Sequence, residues 1–78
     1  MKNNAVISAR LEGLLEALDA RSYLTIFNKR EDGKEELLRS TPIYRLLADE
    51  EFIGNFKEYK VIGLTVILGH VNILIEEA

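Results

Sequence analysis

The sequence predicts an α+β domain in the order α-β-β-α-β-β: a four-stranded, mostly antiparallel sheet of two hairpins, with two helices packed on one face. Three observations predict it. Leucines recur at helical spacing between Ile7 and Ala20, two apolar runs each fold back at a glycine-containing turn, and Thr41-Pro42 marks a helix start between them. Residues 1–78 read as one domain, without a linker, a repeat or a low-complexity segment.

Ile7, Leu11, Leu14, Leu15 and Leu18 fall on one stripe at 100° per residue, with Ala9, Glu12, Gly13 and Glu16 opposite, which predicts an amphipathic helix from about Ile7 to Ala20. The run Tyr23-Leu24-Thr25-Ile26-Phe27 favours a strand, and Asp32-Gly33 folds it back onto Glu36-Leu37-Leu38-Arg39. A three-residue loop with Gly33 left-handed sets Phe27 opposite Leu37 and Ile26 opposite Leu38, so that like faces like. Thr41 then caps a helix with Pro42 in its first position, where the missing N–H costs nothing, and Ile43, Leu46 and Leu47 face inward. An unbroken helix would bring Glu50 into the apolar stripe and expel Phe52. The phase must therefore break near Asp49, giving a short helix, then a second helical turn capped by Asp49 and stopped around Gly54-Asn55. In the last run, Gly69-His70 suits a type II′ turn pairing Leu68 with Val71, Val66 with Ile73 and Leu64 with Ile75. One face of that hairpin then holds Ile62, Leu64, Val66, Leu68, Val71, Ile73 and Ile75 and forms the core, with Val61, Gly63, Thr65, Ile67, His70, Asn72, Leu74 and Glu76 on the other.

Composition narrows the function. A chain of 78 residues hides only about 60–65% of the surface it would expose unfolded, and with no cysteine its stability must come from the 47% of residues that are apolar. Ten basic and 13 acidic residues give a charge of −3, too small for a DNA mimic and of the wrong sign for a phosphate binder. Arg10, Glu12 and Glu16 interrupt the leading segment, unlike a signal peptide, and the uncharged run from Val61 to Ile75 is shorter than the roughly 20 residues that cross a bilayer as a helix. A cytoplasmic protein is expected.

No catalytic, cofactor or metal site is predicted. His70 falls at a hairpin tip without cysteine or nearby carboxylate, whereas metal binding needs three or four convergent ligands and catalysis a positioned partner. Ser8, Ser22 and Ser40 sit at element boundaries, where serine serves as a cap or turn residue. Asp49, Glu50 and Glu51 are the one compact acidic cluster, and acidic residues at a helix start are favoured by its dipole without any ligand. Lys29, Arg30 and Lys34 are outnumbered by Glu31, Asp32, Glu35 and Glu36, so the first hairpin tip is charge-rich rather than basic.

The segments Leu14-Leu15-Glu16-Ala17-Leu18-Asp19, Leu24-Thr25-Ile26-Phe27, Leu46-Leu47-Ala48-Asp49-Glu50-Glu51 and Val71-Asn72-Ile73-Leu74-Ile75-Glu76, in this order, resemble small uncharacterised phage, prophage and mobile-element proteins of Gram-positive bacteria. The resemblance implies an accessory protein that binds a host or phage component, a class that includes phage inhibitors of host defence, and it assigns no functional residue.

The leading expectation is a non-enzymatic protein-interaction module, followed by a self-associating accessory protein that dimerises through an open sheet face. Nucleic-acid binding or enzymatic activity ranks below both. The expected working surface is the sheet face turned away from the helices, carrying Tyr23, Phe27, Leu37 and Arg39 from the first hairpin and Val61, Ile67 and Leu74 from the second. The expected partner is another protein or a second copy of the chain, with no membrane and no small-molecule substrate.

Overall fold

The leucine stripe forms a helix, α1 (Leu11–Ala17), which buries Leu11 and Leu15 and packs Leu14 and Leu18 against the same core. The computed structural model describes residues 9–77, so Ser8 and the expected helix start at Ile7 lie outside the described residues. α1 is shorter than its periodicity. Arg10 is extended and bridges Lys60 antiparallel, and Val61 N–H donates to the Ala9 carbonyl at 3.1 Å, so this backbone serves a strand rather than a helix. At the other end Leu18 is already extended. Asp19 turns the chain there, its carboxylate accepting from Arg21 N–H at 3.0 Å and its carbonyl from Ser22 N–H at 2.9 Å.

The strands β1 (Tyr23–Lys29) and β2 (Glu35–Pro42) form the first hairpin, with Gly33 at φ +86 in its loop and Phe27 opposite Leu37 as expected. Beyond that pair the register slips: Ile26 faces Arg39, not Leu38, because a bulge inserts one residue into β2. β2 runs on through Thr41 and Pro42, so Thr41 pairs with Leu24 instead of capping a helix. The helix α2 (Ile43–Leu47) starts one residue later without a side-chain cap. Its first donors are satisfied by backbone: Ile43 N–H bonds the Ser22 carbonyl and Tyr44 N–H the Ala20 carbonyl, both at 2.9 Å.

The phase break falls where the sequence requires it. Asp49 caps α3 (Glu50–Phe56) by accepting from Phe52 N–H at 3.0 Å, and Phe52 is buried. Gly54 and Asn55 lie within α3 and do not end it.

The last two strands are β3 (Lys60–Ile67) and β4 (His70–Glu76). Their turn is Leu68-Gly69, both left-handed at φ 51 and 79, which is the type I′ geometry, and not Gly69-His70. The pairs are consequently Ile67 with His70, Val66 with Val71 and Leu64 with Ile73. A second bulge, at Ile62, puts Val61 opposite Ile75 on the buried side and Gly63 opposite Leu74 on the other.

The strand order is β2-β1-β4-β3. The sheet is mixed: both hairpins are antiparallel, but β1 and β4 pair in parallel at its centre, Leu24 beside Val71 and Ile26 beside Ile73. Leu24, Ile26, Val61, Val71, Ile73 and Ile75 form the sheet side of the core, and Leu11, Leu15, Ile43, Leu46 and Phe52 the helical side.

Candidate functional site

Alternation along the strands assigns the opposite, outer face. The registers align Tyr23, Thr25 and Phe27 of β1 with His70, Asn72 and Leu74 of β4, and beside these lie Gly63, Thr65 and Ile67 of β3 and Leu37 and Ser40 of β2. With the helices on the other side, Tyr23, Leu37 and Ile67 are exposed, and Phe27 and Leu74 are half-buried among their neighbours. Gly63 shapes the surface: lacking a side chain, it leaves a shallow depression of about 410 Å³ lined by Phe27, Thr65, Ile67, Asn72 and Leu74 among others. A Cβ at Gly63 would stand 3.4 Å from the Cβ of Leu74, in the space that forms this hollow.

Tyr23, Phe27, Leu37, Ile67 and Leu74 thus share one face. Arg39 and Val61, expected among them, do not, and a bulge moves each. The β2 bulge turns Arg39 to the helical side, where its guanidinium lies 5.0 Å from the Phe52 ring centroid and its Nη2 donates to Asp49 Oδ2 at 3.3 Å. The β3 bulge buries Val61 completely.

The structure adds a feature that periodicity missed. The distal half of β3 is exposed on both faces: Leu64 (38%) and Val66 (59%) point to the helical side beyond the helices, and Ile67 (57%) points outward. Leu68 at the turn is fully exposed. The signal was present as the uncharged run from Val61 to Ile75, in which an edge strand and an interior strand look alike.

One end of the outer face is polar. His70 is the first residue of β4, not a turn residue, and its Nε2 lies 2.7 Å from Thr25 Oγ1, which in turn is 3.1 Å from Ser40 Oγ. Tyr23 meets the imidazole edge-on at 5.0 Å and donates its hydroxyl proton to the Ser40 carbonyl at 3.2 Å. Here Ser40 is a strand residue anchored to Thr25, and the bonds fix the rotamers of four side chains at the rim of the apolar surface.

Asp49 is held by its neighbours: the Phe52 N–H lowers its pKa most, Arg39 adds to this, and partial desolvation opposes both. The Arg21 N–H, then its side chain, lower that of Asp19. At the far end of the sheet a hollow of about 530 Å³ is lined by Asn28, Lys29, Arg30, Glu31, Glu36, Glu76 and Glu77, mixing both charges. Among the described residues no group of three or more His, Asp or Glu side chains is placed to hold a metal ion, and no helix is long and apolar enough to cross a membrane.

Comparison with protein-family models, with curated proteins and with solved structures returns no match.

Proposed function

We propose that this domain is a non-enzymatic interaction module that binds protein through the apolar outer face and the adjoining distal half of β3. One observation carries the proposal. Leu68 is fully exposed and sits at φ 51, in a conformation that costs an L-residue about 1–2 kcal/mol, at a turn position where asparagine or glycine would fold more easily. A large apolar side chain kept in a strained and solvated position has no internal contact to offset that cost, whereas an external protein surface supplies one. From this turn Ile67 and Phe27 continue the apolar surface over the outer face and Val66 continues it on the helical side, and Tyr23 and His70, packed edge-on, border the outer face.

The resemblance to phage and mobile-element proteins makes a host protein, in the cytoplasm, the first partner class to screen. Partner capture by the parent chain is compared with capture by Phe27→Lys and Ile67→Lys, with Glu12→Lys on the exposed side of α1 as the control. Both face substitutions are expected to weaken capture or self-association while the control does not. If all three behave as the parent with folding preserved, the surface is not the interface.

A further inference from the structure

We infer that the partner of β3 is β3 of a second copy: two chains pair antiparallel through Gly63–Leu68, and their sheets become one. The inference rests on the protein-binding reading above and names its partner.

Four observations lead to it. First, among the described residues the order β2-β1-β4-β3 leaves two edges, and they differ in chemistry. β2 carries Glu35, Glu36 and Arg39, a bulge, and Pro42, the usual guards against edge pairing, whereas β3 from Gly63 to Leu68 carries no charge and no proline. Second, the exposed apolar side chains of β3 lie on both faces, Leu64 and Val66 on one and Ile67 on the other. A ligand laid on one face would leave the opposite side wet, whereas a strand added in the plane of the sheet covers both.

Third, the edge is complementary to itself. Ile67 and His70 close the two-residue turn, so by alternation Gly63, Thr65 and Ile67 direct their backbone groups to β4 while Leu64 and Val66 direct theirs outward. A two-fold axis at Thr65 sets Leu64 opposite Val66 of the second copy, with the outward N–H and C=O groups matched, and sets Thr65 opposite Thr65, a favourable cross-strand pair. It also brings Ile67 of the second copy opposite Gly63, the position that leaves the depression on the outer face. Two chains of charge −3 meet here without placing like charges together.

Fourth, among the described residues the chain's own leading segment meets this edge only at its start, where Ala9 and Arg10 engage Val61 and Lys60.

Sedimentation equilibrium on the full chain tests the inference, using Thr65→Lys, Thr65→Glu and their equimolar mixture, with circular dichroism to verify folding of these exposed-site variants. The parent is expected to dimerise. Each variant alone should dissociate roughly tenfold or more readily, since like charges then face each other at the axis, and the mixture should recover the dimer as a Lys–Glu pair. A parent that stays monomeric at the highest soluble concentration overturns the inference, as does a mixture no tighter than either variant alone. A dimer untouched at Thr65 but lost in Phe27→Lys also overturns it, because the outer face would then be the contact, and the protein-binding reading would survive.

Discussion

Thr25 and His70 hold each other across the central parallel strands, with Oγ1 and Nε2 2.7 Å apart. Thr25 is buried and shares its hydroxyl with Ser40, so it links an interior strand to the edge strand as well. Thr25→Val keeps the shape and removes both bonds. It is expected to cost about 1–3 kcal/mol, the usual net value of two hydrogen bonds, and to change the imidazole resonances of His70. Unchanged imidazole shifts in a folded Thr25→Val chain would mean that this bond does not form in solution.

Stability and binding should move in opposite directions at Leu68. Leu68→Asn relieves the left-handed strain and matches the type I′ preference, so the denaturant midpoint should rise by the equivalent of about 1 kcal/mol. Capture or self-association should weaken at the same time. A variant that is both more stable and equally competent would show that Leu68 makes no contact with a partner.

Leu15 and Val66 both belong to the apolar pattern, but only one is inside. Leu15 is buried in α1, so Leu15→Ala should cost about 2–4 kcal/mol. Val66 points to the helical side of the sheet beyond the helices, and Val66→Ala in dilute solution should cost less than about 1 kcal/mol. Equal denaturant midpoints for the two variants would contradict this layering.

Acid should loosen α3 through its cap. The Phe52 N–H and Arg39 hold the Asp49 pKa below its ordinary value in the folded chain, so the carboxylate stabilises the fold above the ordinary carboxylate range. That stabilisation is lost as the pH falls through this range toward the depressed folded value. Asp49→Asn keeps a good capping side chain and removes the charge, so its denaturant midpoint should vary less than the parent's between neutral and acid pH. Asp49→Ala loses the cap and should be less stable than Asp49→Asn at neutral pH. Parallel pH profiles for the parent and Asp49→Asn would show that this carboxylate does not contribute to the acid limb.

The order of elements was legible because each carries a strong local signal: the leucine stripe of α1, Gly33 in the first loop, and the phase conflict between Glu50 and Phe52 that requires the cap at Asp49. The misplaced residues trace to single-residue slips. Leu37 and Leu38 are identical, and Val61 and Ile62 nearly so, so either member of each pair fits the buried side and the pattern does not reveal where a bulge inserts its extra residue. Counted away from the hairpin turn, every side chain beyond a bulge changes face, which is how Arg39 came to rest beside Phe52 and Val61 came to be buried. The second turn was hidden for a different reason: local preference favours a left-handed glycine over a left-handed leucine, and Leu68 defies it. The parallel pairing of β1 with β4 leaves no local trace at all, since its partners lie in different hairpins.

That parallel pair makes the two hairpins interdependent. Each supplies one interior strand, and each interior strand is completed only by the other, across a connection that contains β2, α2, α3 and β3. Neither hairpin can reach its final state alone, and closing so long a loop is an entropic cost met before most of the core contacts form. Folding should therefore be all-or-none, and its rate should follow the closure of β1 on β4 more than the speed of either turn. Amide exchange in Leu24–Phe27 and Val71–Ile75 should proceed through one shared opening reaction, so that a cavity cut at Ile26 or Ile73 accelerates exchange in both strands together.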